Sequence, residues 1–278
     1  MKQEAGSRIQ EAESANQRSS EAANGRIGES ANHESLITDH HLPVTKLSII
    51  ICAYNERRTI LDAIKQAHAV ALPAGWDKEV IAVDNCSTDG TREMLQAVNM
   101  PGVRVVLHPH NMGKSASILT GFREASGEYG VIFDADLEYE AADIPRMAAA
   151  VTPGETVAVF GSRTLGGRKI YLYAQNYWAV RGLTAIANVL FGGHLTDIAT
   201  GPKLVRVDVV RSLKLSSHEF DLDFELPCKL LKNGHKIDEI AINYHPRSVA
   251  QGKGLAGWKA VRTGLRVLWI YLKVLIGG

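Results

Sequence analysis

Gly130-Val131-Ile132-Phe133-Asp134-Ala135-Asp136-Leu137-Glu138 is the stretch whose reading decides the fold. An apolar run of strand length delivers two carboxylates, one residue apart, at its C-terminal end, and a third acid follows two positions on. Alternate residues of an extended chain point the same way, so Asp134, Asp136 and Glu138 are expected on one side. Such a cluster repels itself unless a cation sits among it. Hard oxygen ligands suit Mg²⁺ or Mn²⁺, which in turn hold phosphate oxygens. Alone, an Asp-x-Asp pair is more often just an acidic turn capping the next helix, so the flanking sequence must decide.

Working outward, Lys46 to Cys52 is a short apolar, β-branched run, the signature of a buried strand in a parallel sheet. Ala53-Tyr54-Asn55-Glu56 breaks it, and Arg57 to Val70 has helical spacing. Glu79 to Val83 reads as a second strand; Ser87, Thr88 or Asp89 can cap a helix running to about Val98. Val103 to Leu107 is a third strand, and Asn111-Met112-Gly113-Lys114 leads into a helix to Ala125. Strand and helix alternate, which predicts an α/β fold with a parallel sheet covered on both faces. Ligands in such sheets bind beyond the carboxyl ends of the strands. The polar segments Tyr54-Asn55-Glu56, Asp84-Asn85, Asn111 to Lys114 and Asp134-Ala135-Asp136 all fall at that edge, which favours function over a chance acidic turn. Gly113-Lys114-Ser115 looks like the end of a P-loop, but the position of its first glycine holds His108. No Gly-x-Gly-x-x-Gly follows the first strand, which argues against a dinucleotide fold.

Taken together in this order, Ile49-Ile50-Ile51-Cys52-Ala53-Tyr54-Asn55-Glu56, Val83-Asp84-Asn85-Cys86-Ser87-Thr88-Asp89-Gly90-Thr91 and Asp134-Ala135-Asp136 resemble the family 2 glycosyltransferases with a GT-A fold. The nearer resemblance is to their dolichyl- or polyprenyl-phosphate mannosyltransferase branch, over roughly residues 46 to 255. It implies that Ala53, Tyr54 and Glu56 line a nucleotide pocket and that Asp84 hydrogen-bonds the base. Asp134 and Asp136 would hold the Mg²⁺ or Mn²⁺ ion that bridges the diphosphate, with Glu138 as the third metal-side residue and Lys114 beside the donor. An Arg placed like Arg163 meets a phosphate in the look-alikes, which suits the guanidinium fork. Asp197 and Lys203 match the segment that closes over the donor, and Glu225 matches the acid near the acceptor. Arg247 and Lys253, in a glycine-rich loop, match cations that clamp the diphosphate and the acceptor phosphate. Two departures stand out: Asn85-Cys86 replaces the usual Asp-Gly, and Asp223 stands where close relatives often carry Glu.

The implied activity is inverting transfer of a hexose from GDP-mannose or a UDP-hexose to a lipid phosphate. The alternative is a soluble family 2 enzyme acting on a hydroxyl, for which Asp223 or Glu225 would be the general base. A formal net charge of +1 over 278 residues argues against nucleic acid as a main partner. Three widely spaced cysteines, Cys52, Cys86 and Cys228, form neither a disulfide framework nor a zinc pattern, and a cytosolic setting fits them.

Residues 1–44 read as a disordered tail because they hold few large apolar side chains, and 45–250 as the GT-A domain. Residues 251–278 read as a basic loop and an amphipathic helix. The tail from Leu255 to Ile276 is interrupted by Lys259, Arg262, Arg266 and Lys273, which leaves too short an apolar run to span a bilayer. With Trp258 and Trp269 it is expected at a membrane surface, peripheral on the cytoplasmic side; a docked helix or a dimer seam is the other reading. The aromatic-rich helix from Tyr171 to Phe191 divides between core and membrane surface in the same way.

Overall fold

The alternation along β1 (Thr45–Ala53) explains why the chain builds a two-sided sheet. Leu47, Ile49 and Ile51 pack into one core while Ile50 enters the other, as the period of two in a pleated strand requires. All four are fully buried, each contributing about 1.5–3 kcal/mol. The computed structural model describes residues 44–167, 174–216, 221–246 and 258–277, the last with side chains from residue 262. The expected tail, Val44 apart, lies outside these residues, as do Arg247 and Lys253.

β1 pairs in parallel with β2 (Trp76–Asp84), and β2 in turn with β3 (Val103–Leu107). On its other side β1 pairs in parallel with β4 (Tyr129–Asp134). Three further strands, β5 (Ala158–Ser162), β6 (Lys203–Arg206) and β7 (Ile237–Ala241), complete the order β3-β2-β1-β4-β6-β5-β7. β6 runs antiparallel to both β4 and β5, and β5 pairs with β7 in parallel. The sheet is therefore mostly parallel, as expected. Its one reversed strand has a use: Lys203, at the start of β6, lies at the same edge as the carboxyl ends of the other strands.

The helices are α1 (Ile60–Ala69), α2 (Thr91–Gln96), α3 (Lys114–Glu124), α4 (Asp143–Ala149), α5 (Ala174–Phe191), α6 (Val207–Ser212), α7 (Leu222–Lys232) and α8 (Trp258–Ile276). Ile60 and Ile64 of α1, Leu95 of α2 and Met147 of α4 fill one core. Phe122 of α3, Phe191 of α5, Val210 of α6, Leu226 of α7 and Tyr271 of α8 fill the other. Helices thus cover both faces. α3 lies tight on β1: a Cβ on Gly121 would come within 2.2 Å of Ile50 Cγ2, so Gly121→Ala would force the two apart.

Some boundaries differ from the sequence reading, each for a local reason. The helix expected from Arg57 begins at Ile60, because the Glu56 carbonyl accepts from the backbone N–H groups of both Thr59 and Ile60 and closes a turn first. Before α2 the residue is Gly90, at φ 100°, and Asp89 Oδ1 accepts from the Thr91 N–H at 3.0 Å. The apolar run from Ile237 to Tyr244 reads as one strand, but β7 ends at Ala241 and Tyr244 returns as an isolated antiparallel bridge to Tyr139.

α8 carries Val267, Ile270, Tyr271 and Val274 inward. Its outward residues Leu265, Leu268, Trp269, Leu272, Leu275 and Ile276 are also apolar, and Arg262, Arg266 and Lys273 recur at spacings of four and seven as one basic stripe. Apolar residues thus lie on the inward side and on part of the outward side, beside that stripe. Among the described residues no helix is long and apolar enough to cross a membrane.

Candidate active site

Four strand ends open onto one cleft of about 340 Å³, within the usual range for a small-molecule site. Ala53 at the end of β1 lines it with Tyr54 and Glu56 just beyond, as do Asn85 after β2, Asn111 and Lys114 before and at the start of α3, Asp134 at the end of β4 and Asp136 beyond it. The loops are bound to one another by asparagines. Asn55, at φ 59°, donates its backbone N–H to Ser87 Oγ at 3.0 Å and accepts from the Thr88 N–H at 2.9 Å. Asn85 donates from Nδ2 to Asn111 Oδ1 at 2.8 Å, while its Oδ1 accepts from the Met112 N–H at 2.8 Å. Short polar side chains that tolerate left-handed backbone are the ones such turns require.

At the centre, the Lys114 ammonium stands 2.8 Å from Asp134 Oδ1. Burial alone would push the Lys114 pKa down, but Asp134, Asp223 and Asp136 outweigh it and raise it above the ordinary lysine value. The segment before β6 closes the other side of Asp134. A Cβ on Gly201 would fall 2.3 Å from Asp134 Oδ2, so only glycine lets that backbone approach. Gly201 N–H also donates to Tyr139 Oη at 3.1 Å, and burial pushes the Tyr139 phenol up to about 12.

The third acid does not join the pair. β4 ends at Asp134 and Leu137 has φ 58°, so the strict alternation assumed for an extended chain is lost before Glu138. Glu138 is buried and accepts from Tyr244 Oη at 2.8 Å. Among the described residues no group of three or more acidic, histidine or cysteine side chains stands together as a metal cluster.

Asp84 is likewise turned inward: fully buried, it pairs with Arg92 at 2.8 Å and accepts from the Ser87 N–H. Asn85 lines the cleft beside it.

Arg163 and Asp197 form a buried pair. Arg163 donates from Nε at 2.7 Å and Nη2 at 2.9 Å to the two Asp197 oxygens, and from Nη2 to the Ala199 carbonyl at 2.8 Å. Its guanidinium also lies 5.1 Å over the Tyr244 ring. Burial works to raise the Asp197 carboxyl, yet Arg163 holds it below the usual aspartate range. From β7, Glu239 accepts from the Thr196 N–H at 2.7 Å and the Asp197 N–H at 3.1 Å, which fixes the same segment. Arg163 is thus committed to the wall of the site rather than turned into the cleft.

Glu225 and Asp223, both in the first turn of α7, part company. Glu225 is buried, paired with Lys229 at 2.9 Å, and accepts from the Ser216 N–H. Asp223 faces the charged centre: its Oδ1 is 3.5 Å from Nζ of the fully buried Lys203, and its field reaches Lys114. Burial lowers the Lys203 pKa despite Asp223 and Asp197. Asp223, Glu239 and Tyr244 carry more of this architecture than the sequence reading gave them. Alternation within β7 hides Glu239, Tyr244 lies beyond the end of that strand, and Asp223 differs from Glu225 only by its turn around the helix.

The pair Asp134–Asp136 suits a divalent ion whose other ligands come from substrate phosphates and water, the usual arrangement for Mg²⁺. The ammonium already seated against Asp134 is a stand-in cation at that place.

The sequence profile described as Glycosyl transferase family 2 matches residues 48–214, more than half of the chain. The chain is 27% identical over 237 residues to a dolichol-phosphate mannosyltransferase from Pyrococcus furiosus, covering 82% of this chain and 64% of that protein. It is 31% identical over 118 residues to an undecaprenyl-phosphate 4-deoxy-4-formamido-L-arabinose transferase from Pseudomonas aeruginosa, covering 41% of this chain and 35% of that one. The chain therefore spans less than two thirds of either relative's length. Among solved structures, glucosyl-3-phosphoglycerate synthase from Mycobacterium tuberculosis, in complex with Mn²⁺, UDP and phosphoglyceric acid, aligns with a TM-score of 0.63 at 18% identity. That alignment covers 83% of this chain and 78% of the synthase, and the likeness is one of fold.

Proposed function

Since the chain belongs to Glycosyl transferase family 2, we propose that it is an inverting hexosyltransferase moving sugar from GDP-mannose or a UDP-hexose to a polyprenyl or dolichyl phosphate. The observation that carries this reading is the Asp134–Asp136 pair at the mouth of β4, with Lys114 beside it in a cleft at the sheet's carboxyl edge. The lipid-phosphate acceptor is supported by the substrates for which the two relatives are named.

Asp134 and Asp136 would hold Mg²⁺ or Mn²⁺; when bound, such an ion neutralises charge developing on the leaving diphosphate. Ala53, Tyr54, Glu56 and Asn85 form the wall for the nucleoside, and Lys114 reaches the phosphates. An acceptor phosphate oxygen attacks the anomeric carbon as the bond to the diphosphate oxygen breaks, and the nucleoside diphosphate leaves. A phosphate monoester, with its second pKa at about 6, is already ionised at neutral pH and needs no general base. The protein's share is orientation and charge. Arg163, Asp197, Glu239 and Lys203 keep the wall in place. Arg247 and Lys253 are proposed as phosphate clamps from the sequence alone.

The chain would work at the cytoplasmic face of a membrane, held peripherally. Ten of the thirteen large apolar side chains exposed among the described residues belong to α5 and α8, among them Trp178, Val189, Trp269 and Ile276. Apolar surface beside a basic stripe favours an anionic lipid interface.

The test is incubation of the purified protein with polyprenyl phosphate vesicles, Mg²⁺ and radiolabelled GDP-mannose or UDP-glucose. Label should enter the organic phase with inverted anomeric configuration, and the protein should sediment with the vesicles. Label appearing only on water-soluble hydroxyl acceptors would overturn the lipid reading and favour Asp223 as a general base.

A further inference from the structure

Lys114 opens α3 just after Gly113, whose φ of 87° turns the chain into the cleft. Next to it, Ser115 Oγ accepts from the Leu222 N–H at 3.2 Å, which pins the start of α3 to the start of α7, where Asp223 sits. The ammonium is thereby held 2.8 Å from Asp134 and within the field of Asp136 and Asp223. Resting on the reading of Asp134–Asp136 as the metal-holding pair, we infer that Lys114 is a resident counter-ion that competes with a divalent cation for Asp134, so that metal uptake waits on the donor's diphosphate.

The physical argument is one of charge. A carboxylate oxygen already hydrogen-bonded to an ammonium is a weaker ligand, and a divalent ion brought beside that ammonium meets like-charge repulsion. A nucleoside diphosphate relieves both effects, because its oxygens offer the ammonium a new partner and ligate the ion. Metal and diphosphate must then bind cooperatively, each raising the other's affinity by the same factor. Lys114 would set the size of that factor while adding a cation to the phosphate site. It also guards the acids: without donor, Asp134 and Asp136 are kept from repelling each other by the protein's own charge.

The experiment is a titration of the full chain with Mn²⁺, free ion being followed by electron paramagnetic resonance, with and without UDP or GDP. Lys114→Met should bind Mn²⁺ alone about five- to hundredfold more tightly than wild type, the usual range of coupling between sites. In that variant the added diphosphate should improve Mn²⁺ affinity less than it does in wild type. Lys114→Arg keeps the charge and should behave as wild type; Lys114→Gln serves as a second neutral variant should the methionine one fail to fold. An affinity for Mn²⁺ alone that is unchanged or weaker in a folded neutral variant overturns the inference, while binding that Asp136→Ala abolishes leaves the acid pair standing. Should Asp136→Ala leave Mn²⁺ binding untouched in both backgrounds, the ion sits elsewhere and the acid-pair reading falls with the inference.

Discussion

Asp223 and Glu225 stand two residues apart in one helical turn, yet they do different work. Glu225 spends its charge on Lys229 and the Ser216 backbone, whereas Asp223 belongs to the network of Lys203 and Lys114. Removing Glu225's charge leaves Lys229 buried without its partner, so Glu225→Gln should cost about 3–5 kcal/mol of stability, read from urea unfolding. Turnover per folded molecule should stay near wild type. Asp223→Asn should also cost stability, because fully buried Lys203 loses an acid beside it, but it should in addition lower kcat/KM per folded molecule about ten- to hundredfold through misplacement of the two lysines. Equal loss of turnover in both variants would contradict this division. The sequence pointed to Glu225 because an acid at that helix start matches the family pattern. Neighbouring positions on a helix differ in direction by about 100°, and the side each acid takes is set by the packing of the whole helix.

At the scale of elements, the segment before β6 owes its placement to long-range contacts. Its path is fixed by Arg163 after β5 and Glu239 on β7, both distant in sequence. Strands β1 to β4 and their helices were legible because each carries its own pattern of apolar runs and turn residues. The reversal of β6 was not, since a four-residue strand reads the same in either direction. The buried Arg163–Asp197 pair makes a pH prediction. Asp197 has a lowered pKa in the folded protein, so near pH 4 the unfolded chain binds more protons and stability rises with pH. The pair's contribution is complete above the ordinary aspartate pKa of about 3.9 and is lost as pH falls through the lowered folded value. Asp197→Asn should flatten the acid limb of a stability–pH curve measured by urea unfolding. It should also lower stability at pH 7 by about 3–5 kcal/mol, as Arg163 loses its buried partner. A curve parallel to wild type below pH 5 would contradict the assignment.

For the whole molecule, two cores on opposite faces of a mostly parallel sheet hold the strand ends in register, and the cleft follows from that register. Cys52 of β1 lies beside Asp134 of β4 in the parallel ladder, so the first loop and the acid pair meet without a special device. This much was legible in the sequence, because loops after parallel strands must gather at one edge. What was not legible is how the carboxylates share cations: Asp84 with Arg92, Asp134 with Lys114, Asp197 with Arg163. Such pairings arise only when elements far apart in the chain pack together. The central claim, that Asp134 and Asp136 grip a divalent ion against a nucleotide's diphosphate, is tested most directly by calorimetric titration of UDP and GDP with and without Mg²⁺, in wild type and in Asp136→Ala. The account predicts that at least one diphosphate binds wild type about tenfold or more tightly with Mg²⁺, and that Asp136→Ala abolishes the gain. Equal binding of both with and without the ion, or a gain that survives the substitution, would contradict it.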